Sequence, residues 1–127
     1  MNFPNANLWR KLQPILDRFA QKANEREPGL IVRVGSSCND AFLLRAYVAF
    51  QRNDGCEEIA VTVDVQNLDG VLVIESDLCS DTGHIFKHGP VLRELSSDPQ
   101  QVEELFDRWC VEFQRFLSDN EDWFLSL

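Results

Sequence analysis

The sequence predicts an α+β fold in which two helices cover one face of an antiparallel sheet of four or five strands. Apolar residues recur at helical spacing near both ends of the chain, whereas between positions 30 and 78 they occupy every second position. Turn sequences rich in Asn, Asp and Gly separate the strand-like segments, which favours short hairpins and a meander. A chain of 127 residues is long enough for one hydrophobic core, so we predict a single domain spanning residues 1–127.

The first predicted element is an amphipathic helix near the start of the chain. Its apolar face consists of Leu8, Leu12, Ile15, Leu16, Phe19 and Ala23. Asn5 or Asn7 is suited to cap the first turn, and Pro28-Gly29 ends the pattern. Pro14 lies inside the pattern and lacks the N–H that a helix interior requires, which predicts a kink and two helical pieces.

Four strands are predicted from the alternation, with a weaker fifth. They span residues 30–34, 41–52, 59–66, 71–78 and 85–87. The third is the clearest, because Ile59, Val61, Val63 and Val65 alternate with polar or small residues. The connections at 53–55 and 67–70 contain Asn, Asp and Gly, which tolerate the positive φ angles that tight hairpins need.

The last predicted element is a long helix that begins with a cap at Asp98, has Pro99 at its first position and has Gln101 three residues after the cap. Its apolar stripe consists of Val102, Leu105, Phe106, Trp109, Phe113, Phe116 and Leu117. The segment after Asn120 is too apolar for a free end, so we expect it to pack against the protein.

These elements predict one covered and one open sheet face. Four strands are roughly 19 Å wide, which two helices about 10 Å in diameter can cover. The order of a helix followed by a meander resembles cystatin-like folds in architecture, and this resemblance implies no activity.

The alternation also assigns side chains to the two faces of the sheet. The helix-facing set is Phe42, Leu44, Val48, Phe50, Ile59, Val61, Val63, Leu72 and Ile74. The opposite set is Leu43, Arg45, Tyr47, Thr62, Asp64, Val71, Val73 and Glu75. A mixture of Tyr, Arg and branched aliphatic residues with a charged margin is typical of a protein interface. Two alternatives to an interface stay open. Residues 123–125 cover this face, or the register of the strands differs from the one inferred here, so that other side chains point to it.

Charge is distributed unevenly along the chain. Residues 1–52 contain eight basic and four acidic side chains, whereas residues 53–127 contain four basic and seventeen acidic ones, which gives the net charge of −9. The two halves pack together in the predicted fold, so we expect part of the basic charge to be neutralised internally. The acidity argues against nucleic acid as a partner and favours a basic one.

The residues that could support catalysis or metal binding are better explained as ordinary surface or turn residues. His84 and His88 are flanked by Gly83 and Gly89-Pro90, so we expect loop or strand geometry, in which the two rings lie too far apart to share a metal ion. The stretch of carboxylates that contains Asp64, Asp69, Glu75, Asp77 and Asp81 lacks the spacing of a calcium loop. We therefore predict no metal and no cofactor.

Two further sequence features also do not indicate a ligand or metal site. The segment Gly35-Ser36-Ser37-Cys38 lacks the pattern of a phosphate-binding loop, and a simple turn is expected. Cys38, Cys56, Cys79 and Cys110 are widely spaced, which indicates free thiols and not a metal site or disulfide framework. No segment is apolar enough to span a membrane and no export signal is evident, so a cytoplasmic protein without membrane partners is expected.

We therefore predict a non-enzymatic, acidic protein-binding module that captures a basic protein, by class analogy with immunity proteins and secretion chaperones. The alternative is a small-ligand-binding or enzymatic domain with a pocket between sheet and helices. Homodimerisation through the sheet face is compatible with both. The predicted partner-binding residues are Leu43, Arg45, Tyr47, Asp64, Val71, Val73, Glu75, Asp77, Glu103, Glu104, Asp107 and Glu112.

Overall fold

The computed structural model describes residues 5–39, 42–51, 58–80, 82–96 and 98–127. It confirms the predicted order of an N-terminal helix, an antiparallel sheet and a C-terminal helix. The elements are α1 (Asn5–Arg26), β1 (Ile31–Ser37), β2 (Leu44–Gln51), β3 (Ile59–Leu68), β4 (Val71–Ser80), β5 (Ile85–His88), β6 (Leu92–Leu95) and α2 (Pro99–Leu125).

The strands form one antiparallel sheet in the order β1-β2-β3-β4-β5, and β6 also pairs with β4. β5 and β6 bind successive parts of β4, at Asp77–Cys79 and Val71–Ile74, so together they act as one interrupted outer strand. The sequence predicts only the first of these two short strands. The prediction missed β6 because the pattern is broken by Gly89-Pro90.

The two helices lie side by side on one face of the sheet. Lys11 of α1 contacts residues near the start of α2, and Lys22 contacts Glu121 near its end, so the helices run parallel. α1 packs over β1 and β2, and α2 packs over β4. The side chains between the helices and the sheet form a continuous core that includes Phe50, Phe106, Trp109, Phe113 and Phe124.

α1 is one continuous helix, so the prediction of two pieces was wrong. Pro14 lies within it. The loss of one backbone hydrogen bond is outweighed by burial of the apolar face, since Leu8, Leu12 and Leu16 are fully buried on both sides of the proline.

α2 begins as predicted. The carboxylate of Asp98 accepts a hydrogen bond from the backbone N–H of Gln101 at 2.8 Å, and Pro99 occupies the first turn. The helix continues through the apolar C-terminal segment. Phe124 packs against Phe19 and Phe50 with ring centroids 6.3 Å from each, so the segment docks on the helix side of the sheet. This excludes the alternative in which residues 123–125 cover the open face.

The β3–β4 hairpin turns at the Asn, Asp and Gly residues predicted from the sequence. Asp69 and Gly70 form its two-residue turn with φ angles of 54° and 86°, which matches the turn favoured between twisted antiparallel strands. The side chain of Asn67 accepts a hydrogen bond from the N–H of Gly70 at 2.9 Å. The predicted turn at 53–55 lies outside the described residues, as do Asp40, Cys56, Asp81 and Ser97.

Alternation assigned most side chains to the correct face, with an exchange at the start of β2. Leu44, Val48 and Phe50 are buried under the helices as predicted. The alternation predicts that Phe42 points the same way, but the guanidinium carbon of Arg45 lies 4.2 Å from the centroid of its ring, on the opposite side of the sheet. Leu43 packs against the core. Both residues precede β2, so strand alternation does not hold for them.

Candidate functional site

The face of the sheet opposite the helices is the candidate site, and we call it the open face. In the described parts of the chain, no helix packs on it. Its side chains come from alternate positions of the strands and from residues flanking them. They include Arg33, Phe42, Arg45, Tyr47, Glu58, Thr62, Asp64, Gln66, Leu68, Val71, Glu75, Asp77, Cys79, His88, Arg93 and Leu95.

Arginine and aromatic side chains occupy the β1–β2 half of the open face. Gly35 lies opposite Tyr47, and a β-carbon at Gly35 would be 2.7 Å from the tyrosine hydroxyl, so the ring lies across a position where only glycine fits. The Arg33 guanidinium carbon lies 6.0 Å from the centroid of the Tyr47 ring. This half therefore presents cationic and aromatic groups, which are enriched at interface cores.

Both arginines are held in place by carboxylates. Nη2 of Arg33 lies 2.7 Å from both carboxylate oxygens of Glu58, and this hydrogen bonding raises the pKa of Arg33. Nε of Arg45 donates to Asp64 at 3.0 Å. These contacts limit the rotamers of two long side chains and so preorganise the surface for binding.

Carboxylates dominate the β3–β4 half of the open face. Asp64 pairs directly with Glu75 across the two strands, and Asp77 follows Glu75 on the same face. Nδ1 of His88 lies 2.6 Å from a carboxylate oxygen of Asp77. Among the described residues, no group of three His, Cys, Asp or Glu side chains is arranged to hold a metal ion.

A shallow depression of about 420 Å³ lies between the two halves. Its lining includes Arg33, Tyr47, Thr62, Asp64 and Cys79. Burial raises the pKa of the Cys79 thiol, and the nearby Asp77 carboxylate raises it further. The thiol therefore stays protonated, which is the opposite of what a nucleophilic cysteine requires.

An apolar row crosses one end of the open face. Leu68 pairs with Val71, which in turn pairs with Leu95, so the three side chains are neighbours on adjacent strands. Leu68 is 46% exposed and Leu95 is 76% exposed. Exposed apolar neighbours beside charged residues are a common feature of protein-binding surfaces.

The structure brings most of the predicted sheet residues together. Arg45, Tyr47, Asp64, Val71, Glu75 and Asp77 share the open face. Leu43 does not join them because it packs on the core. Val73 has the correct orientation but is only 2% exposed, so it is not accessible to a partner.

The predicted acidic residues of α2 lie on the other side of the sheet, so they do not form one site with the open face. Asp107 is 2.9 Å from the Lys11 ammonium group, and Glu103 is 4.0 Å from it. Glu104 accepts a hydrogen bond from Gln100, and Glu112 is exposed. The contacts with Lys11 of α1 therefore neutralise part of the negative charge of these predicted partner-binding residues.

These contacts confirm the expected internal neutralisation of charge. Lys11, Lys22 and Arg26 of α1 all form ion pairs with acidic residues of α2. The Asp107 carboxylate raises the pKa of Lys11, mainly through a hydrogen bond. The basic first half and acidic second half thus meet at the seam between the helices.

Several open-face residues are absent from the set predicted from the sequence. Arg33 occupies an alternating position of β1, so the strand pattern contained the signal that places it there. His88 has the expected strand geometry and lies on the surface, at the end of β5, but its contact with Asp77 on the open face was not predicted. Leu95 lies on β6, which the sequence did not predict.

The predicted alternative pocket between sheet and helices is filled by aromatic side chains. Phe106, Trp109 and Phe113 are at most 1% exposed, and their rings stack in sequence with centroids 5.7 Å and 4.7 Å apart. The indole N–H of Trp109 donates to the carbonyl of Pro90 at 3.0 Å. This packing removes the basis for a ligand site at that position.

Comparisons with known proteins do not assign the chain to a family. No family model, curated protein or solved structure matches it. The cystatin-like comparison therefore stays a prediction about architecture. Neither α1 nor α2, as described, combines the length and apolar character needed to cross a bilayer.

Proposed function

We propose that this chain is a protein-binding module whose open face docks a basic protein partner. The observation that supports the proposal is the composition of that face, where an Arg–Tyr region borders three neighbouring carboxylates and an exposed apolar row. Aromatic and arginine side chains anchor many interfaces, and surrounding charges steer and orient the partner.

The carboxylates define the chemistry of the partner. Asp64 and Glu75 are paired across adjacent strands, where like charges repel. A lysine or arginine from a partner would relieve this repulsion and replace part of the lost hydration. The net charge of −9 would attract the same partner over a longer distance.

This proposal places the chain with small acidic proteins that neutralise or escort a basic client, such as immunity proteins and secretion chaperones. The function is non-enzymatic binding. Three described cysteines, Cys38, Cys79 and Cys110, are free thiols, which is consistent with a reducing compartment. We therefore propose a cytoplasmic location.

A pair of charge-matched variants tests the proposal. The open-face variant contains Asp64→Asn, Glu75→Gln and Asp77→Asn, and the control contains Glu104→Gln, Glu112→Gln and Asp119→Asn on α2. Each variant removes three negative charges. Binding of a fluorescent peptide rich in lysine and arginine is measured by anisotropy at low salt.

We expect the open-face variant to bind the peptide about tenfold more weakly, from roughly 0.5 kcal/mol for each exposed ion pair. The control should change affinity much less. Equal losses in both variants would show that net charge alone attracts the peptide and would overturn the proposal, as would unchanged binding.

Self-association through the open face is a second candidate, favoured by the apolar row of Leu68, Val71 and Leu95, in which both leucines are exposed. A two-fold dimer would place this row against its copy and bury it. Light scattering at several concentrations measures the mass. A concentration-dependent dimer that Leu95→Lys abolishes would support this candidate, and a monomer at every concentration would exclude it.

A further inference from the structure

A groove of about 370 Å³ runs along the outer seam between α1 and α2, away from the open face. We propose that this interhelical groove binds a small amphipathic anion, which has an apolar body and a carboxylate or sulfonate head. The volume lies within the range of small-ligand sites. The proposal is independent of protein docking because the groove and the open face are on opposite sides of the sheet.

The floor and one wall of the interhelical groove are apolar. Phe19 and Leu117 form part of the floor and are 4% and 5% exposed, so their backs pack into the core. Ile15 is half-buried beside them, and the exposed ring of Pro14 contributes to the wall. An aliphatic chain or aromatic ring placed here would remove its own surface and the exposed parts of Ile15 and Pro14 from water.

The rim of the interhelical groove is cationic, although the protein is acidic. Arg18 and Lys22 lie one helical turn apart on α1 and line the groove with Glu121 of α2. Lys22 is 3.3 Å from the Glu121 carboxylate. Within the described residues, Arg18 has no acidic side chain within ion-pair distance. The guanidinium of Arg18 is therefore the group that would bind the anionic head.

These features distinguish the ligand from other occupants. A neutral apolar molecule would leave Arg18 without a counter-charge, and a hydrophilic anion would not use the apolar lining that Pro14 and Ile15 expose. A guanidinium also binds carboxylates and sulfonates with paired hydrogen bonds. A ligand with an apolar body and one anionic end would contact both the apolar lining and the cationic rim of the groove.

The test uses the full chain and the fluorescent sulfonate 1-anilinonaphthalene-8-sulfonate, with dodecanoate as the competing carboxylate and dodecanol as its neutral analogue. We expect one saturable probe site, which dodecanoate displaces more effectively than dodecanol. Arg18→Gln should weaken probe binding about fivefold, which is the upper end of the range for one exposed charge pair and is expected where a guanidinium binds the head with paired hydrogen bonds. The control Arg115→Gln removes a cation from α2 outside the groove and should leave affinity within about twofold.

A second variant tests the location. Ser118→Trp places a large ring in the groove and should abolish probe binding while circular dichroism confirms the fold; if it does not fold, the Arg18→Gln comparison decides alone. Equal effects of Arg18→Gln and Arg115→Gln would overturn the proposal. Equal displacement by dodecanoate and dodecanol would also overturn it, as would undiminished binding to folded Ser118→Trp.

Discussion

Asp64 and Glu75 are direct partners across β3 and β4, so two carboxylates face each other on the open sheet face. Arg45 donates to Asp64 at 3.0 Å, whereas Glu75 has no ion pair among the described residues. Like charges directly opposite each other destabilise a sheet. A pair of carboxylates that lowers stability is expected at positions where the side chains serve binding.

Glu75→Gln should therefore stabilise the folded protein while weakening capture of a basic peptide. We expect the free energy of unfolding to rise by about 0.5 kcal/mol, because one cross-strand repulsion is removed. Urea denaturation at pH 7 and low salt measures the change. The control Glu112→Gln removes an exposed α2 charge and should change stability less. A loss of stability in Glu75→Gln would contradict this interpretation.

The contact between Lys11 and Asp107 predicts a salt-sensitive link between the helices. Lys11→Met should lower the free energy of unfolding by about 0.5–1 kcal/mol, and the loss should shrink in about 1 M NaCl. The matched Arg115→Met removes a cation that has no ion pair in the described chain. Equal losses in both variants, or a loss that salt does not reduce, would show that the contact is not the cause.

Two glycines should respond differently to alanine. A β-carbon at Gly89 would lie 2.2 Å from Oγ of Ser76 and 3.0 Å from the Phe116 ring, so Gly89→Ala should cost about 2–3 kcal/mol by overpacking. Gly83 has open space but a φ of +89°, so Gly83→Ala should cost only about 1 kcal/mol of backbone strain. Thermal and urea unfolding compare the two, and the reverse order would contradict the packing at Gly89.

Cys110 should make the protein less stable at high pH. Burial raises the pKa of its thiol from 9.0 to about 12. Above pH 9 the unfolded chain loses the thiol proton while the folded chain retains it, so the free energy of unfolding falls as pH rises through this window. The raised pKa of Lys11 acts in the same direction, from pH 10.5 upward.

Unfolding of wild type and Cys110→Ala between pH 8 and pH 10.5 isolates the thiol. Wild type should lose roughly 1–2 kcal/mol more than the variant over this range, at about 1.36 kcal/mol per pH unit. The packing cost of the alanine is present at every pH and cancels in the comparison. Parallel stability curves would show that Cys110 does not titrate differently in the two states.

The sequence predicted the parts of the fold that depend on local pattern. Val61 and Val63 alternate with polar residues, so their orientation could be inferred before the partner strands were known. Asp98 and Pro99 identified the start of α2 because a cap and a first-turn proline act locally. Six residues of the open face were found by the same alternation.

The remaining features depend on contacts between distant segments. Lys11 and Asp107 are 96 residues apart, so their pairing could not be inferred from spacing. Val73 is buried although it points to the open face, where Gln66 and Arg93 flank it in register. The short strand β6 follows a proline and has only four residues, too few for a clear periodic signal.

An NMR titration of the ¹⁵N-labelled protein with the basic peptide tests directly whether the open face binds a basic partner. We expect saturable amide shifts concentrated at open-face positions of β2, β3 and β4, including Arg45, Asp64, Glu75 and Asp77. These shifts should be lost in the open-face variant and retained in the α2 control. Shifts concentrated on the solvent side of α2, or an equally strong response in the open-face variant, would contradict the proposal.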